Sequence, residues 1–242
     1  MNSFTYNGIN SADMGLRIEK KNVFSSPKYD LSFQAIPGRN GDLILPGGRY
    51  PHVQITYTVF LPCKTVSELA QKITAVKGWL YADQSAYHTL TDTYDTTFFR
   101  NAVFANKLDI EDELNRIGTF TVCFSCKPFK YTAAGQNAVT LSSGGSITNP
   151  YTFDSKPLIR INGSSGGTLT LSNSNGNATI TLSSISSYVC IDSEQMTVYK
   201  DSTPKGDTVT ASGFPVLHKG KTTVTFTGGI TSVQITPRWC SL

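Results

Sequence analysis

Gly118-Thr119-Phe120-Thr121-Val122-Cys123-Phe124-Ser125-Cys126 alternates apolar and small polar residues without a break. A period of two puts Phe120, Val122, Phe124 and Cys126 on one face of a strand. Thr119, Thr121, Cys123 and Ser125 fall on the other. One face suits a core and the other suits solvent, the pattern of a half-buried antiparallel strand. The predicted strand runs from Arg116 to Cys126. Another, Phe98 to Leu108, precedes it across the acidic run Glu111-Asp112-Glu113, which reads as a turn.

Upstream, Val66, Leu69, Ile73, Val76 and Leu80 repeat at steps of three and four, so one helical face collects them. Thr65 and Glu68 fit a capping box at its start. The spacing predicts one helix over about 66–82, its apolar stripe buried across a sheet. Strand alternation at Val53, Ile55, Tyr57 and Val59 leads into it. Further strands are expected at Phe4 to Tyr6, before a turn at Asn7-Gly8, and at Gly15 to Lys20. Between them, Val23 to Pro51 is rich in Pro and Gly and reads as a long segment without a core of its own.

Downstream the composition changes. From Thr132 onward there are seven Lys/Arg and five Asp/Glu, against 14 and 12 in the first 131 residues. About a third of this later part is Ser or Thr. The shift and the loose Ala133-Ala134-Gly135 suggest a boundary, giving domains 1–131 and 132–242. Seven short strands are expected in the second domain: Leu158 to Ile161, Thr168 to Leu171, Ala178 to Leu182, Tyr188 to Ile191, Met196 to Tyr199, Thr222 to Thr227 and Ser232 to Trp239. Clusters of Gly, Ser and Asn separate them at the spacing of an all-β sandwich. The fold class expected is mainly β, with one flanking helix in the first domain.

Composition limits the function. Charged residues are 16% of the 242, and the formal charge is +4. That argues against coiled coils and charge-driven disorder, and no basic stripe marks a nucleic-acid binder. No apolar run approaches the roughly 18 residues that cross a bilayer, and Met1 to Thr5 shows no export signal. The five cysteines are expected to be reduced and buried.

Catalytic and metal signals are weak. Gly213 to Thr222 lacks the first glycine of a phosphate loop, Pro215 standing in its place, and a strand follows where a helix is needed. Cys123 and Cys126 stand three apart on a strand and so point to opposite faces. His52, His88 and His218 have no nucleophile elbow beside them. Asp92/Asp95 and the 111–113 run read as solvated turn charges rather than glycosidase carboxylates. Lys127-Pro128-Phe129-Lys130-Tyr131 suits packing better than base stacking. No catalytic, cofactor or metal residue is therefore expected, and the chain reads as a non-enzyme. A carbohydrate-binding module or adhesin is the alternative, with Tyr188, Tyr199 and Trp239, beside Tyr151, as possible sugar or partner contacts.

Five stretches together resemble one family, the siphophage distal tail proteins. They are Phe4-Thr5-Tyr6-Asn7-Gly8 with Ser11, Asp13 and Gly15-Leu16; Pro37-Gly38-Arg39-Asn40-Gly41-Asp42-Leu43 with Arg49-Tyr50; Gly118 to Tyr131; Ser155-Lys156-Pro157 with Ile159, Ile161 and Gly163; and Val233, Ile235 and Pro237-Arg238-Trp239. They occur in order along nearly the whole chain.

The resemblance implies a virion protein made in the bacterial host cytoplasm. It implies a tail-tube-like β-domain that builds a hexameric ring, single or as two stacked rings, at the distal end of a long non-contractile tail. A galectin-like β-sandwich would follow and dock partners. Tail tube, tail tip and receptor-binding proteins would be those partners, with DNA only passing through the channel and no membrane insertion. Pro37, Gly38, Arg39, Asn40 and Gly41 would lie in the segment that embraces a neighbouring protomer. The second domain lacks the long insertion that makes a grasping arm in some members, and it is too short to carry an inserted carbohydrate-binding module.

Overall fold

The 118–126 alternation lies on the longest strand among the described residues, Ile117–Thr132. Its partner on one side is Val53–Pro62, and ten residue pairs join them, from Ile117 opposite Pro62 to Cys126 opposite Val53. Phe120, Val122, Phe124 and Cys126 thereby face Val59, Tyr57, Ile55 and Val53, and all eight are buried. The coordinates, a computed structural model, describe residues 2–113 and 117–242. Their contacts divide the chain into two units, Met1–Lys130 (with Leu242) and Tyr131–Ser241.

The first unit forms β1 (Phe4–Tyr6), β2 (Ile9–Asn10), β3 (Arg17–Lys21), β4 (Leu31–Gln34) and β5 (Leu43–Pro46), then β6 (Val53–Pro62) and α1 (Val66–Leu80). β7 (His88–Asp92), β8 (Phe98–Phe104), β9 (Ile110–Glu113) and β10 (Ile117–Thr132) follow. The main sheet runs β2-β1-β7-β8-β10-β6-β3, with β9 also paired to β10. Its core is aromatic. Phe4 stacks on Tyr57 at 4.4 Å between ring centres, and Tyr6, Phe104, Phe124 and Trp79 close around them. Two polar side chains buried there are paired: Trp79 Nε1 donates to the Tyr6 carbonyl at 3.0 Å, and Tyr57 Oη donates to Asp92 at 3.0 Å.

Helix α1 begins where the capping residues put it. Thr65 Oγ1 accepts from the Glu68 N–H at 3.2 Å, while the Glu68 carboxylate accepts from the Lys64 N–H at 2.9 Å. Leu69, Val76, Trp79 and Leu80 bury one face. The helix comes close to the sheet at Gly118, where an added Cβ would stand 3.1 Å from Leu69 Cδ1. Two details differ from expectation. Val66 is 52% exposed, because it occupies the first helical position, outside the buried stripe, and the helix stops at Leu80.

The acidic run is not a turn. Ile110–Glu113 is a strand, pairing Ile110 with Phe120 and Glu113 with Ile117. Backbone pairing to β10 outweighs the charge density that suggested a loop. Arg116, the predicted start of the next strand, lies outside the described residues. Strand β7 was not anticipated, since His88-Thr89-Leu90-Thr91-Asp92 holds one apolar residue. Val23 to Pro51 is also more ordered than expected, since β4 and β5 pair with each other as a separate ribbon.

The second unit forms β11 (Val139–Leu141), β12 (Gly145–Asn149), β13 (Leu158–Gly163), β14 (Gly167–Asn173), β15 (Gly176–Leu182) and β16 (Ser187–Asp192). β17 (Thr197–Lys200), β18 (Thr203–Pro204), β19 (Val209–Ala211), β20 (Gly220–Phe226) and β21 (Ile230–Thr236) follow. One sheet has the order β11-β21-β13-β16-β17-β18, the other β12-β20-β14-β15-β19. Ile159, Ile161, Ile191 and Val233 from the first meet Leu169, Leu171, Ile180 and Val224 from the second in one core. All seven expected strands appear within a residue or a few of their predicted limits; β11, β12, β18, β19 and the two-residue β22 (Cys240–Ser241) are additional.

Candidate assembly interface

The ribbon pairs Leu31 with Pro46, Ser32 with Leu45, Phe33 with Ile44 and Gln34 with Leu43. Alternation sends Phe33 and Ile44 to one face and Leu43 and Leu45 to the other. All four are exposed: Phe33 by 60%, Ile44 by 56%, Leu45 by 42% and Leu43 by 39%. A two-stranded ribbon is marginal by itself, and this one shows apolar surface on both faces. Burying one such side chain contributes roughly 1.5–3 kcal/mol.

Its ends are well defined. At the base, Arg49 Nε donates to Asp30 Oδ2 at 2.9 Å, and the Asp30 and Gly47 N–H groups donate to the carbonyls of Arg49 and Asp30. Tyr29 packs on Tyr50, which packs on Phe129 of β10. At the tip, Pro37, Gly38, Arg39, Asn40 and Gly41 are all exposed. Gly38 and Gly41 hold φ near +80°, where a side chain would be strained. The Arg39 N–H donates to the Ile36 carbonyl at 3.1 Å, which closes the turn, and Arg39 is exposed on it. The tip was legible in the Pro-Gly-Arg-Asn-Gly motif. The strands behind it were not, although Leu43-Ile44-Leu45 was a signal.

In the second unit, Tyr188 and Tyr199 share the outer face of one sheet, since Tyr199 stands opposite Cys190 and Cys190 lies two residues from Tyr188. The Arg160 guanidinium covers the Tyr188 ring at 3.7 Å. Tyr188 Oη donates to Asp201 at 2.5 Å, a bond that raises the phenol above its ordinary value. Trp239 departs from the expectation of an exposed contact. It is 9% exposed and packs in the core. Beyond the end of β21, the Thr132 N–H donates to the Trp239 carbonyl at 3.0 Å and the Arg238 N–H to the Gly135 carbonyl at 2.7 Å, which holds this segment against residues 132–135.

The groups weighed for catalysis each make a local contact. His88 faces Asp83, His218 faces Asp154, and His52 stacks on Tyr87. Asp92 accepts from the N–H groups of Tyr94 and Asp95 as a turn clasp, and Asp95 pairs with Lys130 at 2.9 Å. Lys127 lies over the Tyr87 ring. Burial pushes the Cys126 thiol up to about 12. After Gly220 the chain runs as strand β20.

Residues 5–126 match the family model of the phage tail protein RIFT-related domain. Among solved structures, the chain is similar to the Dit protein (gp 19.1) of phage SPP1, described as a paradigm of the hub adsorption apparatus in phages infecting Gram-positive hosts. The TM-score is 0.75 at 13% identity, covering 100% of both chains, a likeness of fold. A baseplate structure of phage p2 in its activated conformation also matches, with TM-score 0.49, 10% identity and 97% of each chain covered. No curated protein matches. With the family model spanning just over half of its length, this chain belongs to the phage tail protein family of the RIFT-related domain and is a component of a phage tail.

Proposed function

We propose that the chain is a structural hub subunit that closes into a hexameric ring, single or doubled, at the distal end of a long non-contractile tail. Residues 1–131 build the ring and 132–242 form a docking sandwich facing tail-tip or receptor-binding proteins. The observation that carries this reading is the β4–β5 ribbon, with Phe33 and Ile44 exposed on one face and Leu43 and Leu45 on the other. A second copy is its occupant. The ribbon meets a different surface of that neighbour, and such a heterologous contact repeated around an axis closes a ring.

Membership of a phage tail family and the hub-like fold support the reading. The work is then architectural and not catalytic: the ring continues the tube and transmits docking through the sandwich. A formal charge of +4 suits a channel through which DNA passes without being gripped. Solution mass and electron micrographs of the purified chain test this. Sixfold rings with a central hole are expected; a monomer at every concentration contradicts the proposal.

A further inference from the structure

Far from the ribbon in sequence, the tight turn between β14 and β15 borders a cleft of about 150 Å³ in the second unit. Asn173, Asn177, Ser212, Phe214, His218 and Thr222 line it. We propose that this cleft binds a single neutral sugar ring, such as the end residue of a glycan. The proposal stands independently of ring formation.

Four observations converge on that chemistry. First, His218 is preset. Its Nδ1 meets Asp154 Oδ2 at 2.9 Å, a contact that fixes the ring and engages Nδ1 rather than Nε2. Gly176 preserves the space beside that nitrogen, since a Cβ there would lie 2.8 Å from Nε2. Second, the amides are divided between holding and offering. Asn173 Nδ2 bonds the Lys221 carbonyl and Thr222 Oγ1, both at 3.1 Å, and so locks the turn. Asn177 Oδ1 accepts from the Asn173 N–H at 3.1 Å, which leaves the Asn177 NH₂ group to donate outward. Third, Phe214 is 39% exposed and presents a ring against which the C–H face of a sugar can pack, while Ser212 adds a hydroxyl that both donates and accepts.

Fourth, no Lys, Arg, Asp or Glu lines the cleft. A phosphate, nucleotide or acidic peptide would need a counter-charge that is missing. A neutral ligand rich in hydroxyls needs instead the mixed donors, acceptors and one apolar wall found here. The volume lies below the roughly 300 Å³ at which drug-sized sites begin, so it fits one ring and excludes an internal oligosaccharide segment.

The test uses the full chain and the methyl glycosides of glucose, galactose and N-acetylglucosamine, followed by saturation-transfer NMR and amide shifts. At least one is expected to bind with millimolar affinity and to shift amides of 173–177 and 212–218. Asn177→Asp keeps the oxygen that accepts from Asn173 but removes the outward donor, and Phe214→Ala removes the wall. Each should weaken binding about tenfold with an unchanged melting temperature. Tyr188→Ala, on the outer face of the other sheet, should leave binding unchanged. Binding of none of the three up to roughly 50 mM overturns the proposal. So does binding that both Asn177→Asp and Phe214→Ala leave intact, or that Tyr188→Ala abolishes.

Discussion

Phe33 and Ile44 stand directly opposite each other across the β4–β5 ribbon, yet remain 60% and 56% exposed. A cross-strand pair contributes about 0.2–1 kcal/mol where its side chains meet. That is too little to account for two large apolar side chains held in water on a ribbon whose base is fixed by Asp30 and Arg49. Their exposure makes sense as half of an interface.

The tip of the same ribbon gives a local test. Arg39→Glu reverses a charge on an exposed loop, so the stability of the folded subunit should stay within about 0.5 kcal/mol of wild type. Assembly, followed by sedimentation, should weaken and become salt-dependent. Unchanged assembly removes residues 37–41 from the interface.

Gly118 sets how closely helix and sheet approach. A valine there must displace Leu69, whose Cδ1 would lie 3.1 Å from the new Cβ, with Ile110 next at 3.5 Å. The expected cost is about 1–3 kcal/mol, measured by denaturant unfolding. Thr65→Ala, which removes only the helix cap, should cost about 1 kcal/mol. A larger loss from the cap than from the valine would contradict this view of the packing.

Asp192 and Arg238 form a two-pronged pair at 2.7 and 2.8 Å, with the carboxylate side chain 3% exposed. Burial pushes the carboxyl up, but the bonds from Arg238 and the N–H groups of Gln195 and Glu194 outweigh it, leaving the group below its ordinary value. A depressed folded value gives stability that is present above the unfolded value of about 3.9 and lost as pH falls through the folded one. Wild type should therefore lose stability steadily below about pH 4. Asp192→Asn should cost about 3 kcal/mol at pH 7 and lack that part of the acid slope. Thermal melts at pH 7 and pH 3 compare them; equal slopes count against the assignment.

Cysteine reactivity separates surface from core. The Cys126 thiol, pushed by burial to about 12, should resist alkylation of the native protein at pH 8, and Cys240, raised to about 11, should follow it. Cys63, the one cysteine that is not buried, should react first by mass spectrometry. Early modification of Cys126 would mean that β6 and β10 open together.

Periodicity carried most of the fold. The 118–126 alternation, the 66–80 stripe and the strand spacing after Leu158 each describe a face that must be buried, and burial is what a sequence pattern records. The β4–β5 ribbon escaped because its apolar residues serve both faces and therefore do not alternate. Strand β9 escaped because its charges suggest solvent while its backbone pairs with β10. The sugar cleft was hidden for another reason. Its residues come from 173–177, 212–214 and 218–222, and only sheet pairing brings them together.

The central claim is that the ribbon's apolar faces join copies of this chain. Mass photometry and negative-stain imaging of wild type beside the Phe33→Ser/Ile44→Ser double variant test it most directly. Wild type should appear at six or twelve times the chain mass as rings. The variant should remain monomeric with an unchanged melting temperature, because neither side chain is buried within its own subunit. Rings that persist in the variant, or a wild type that stays monomeric throughout, would contradict it.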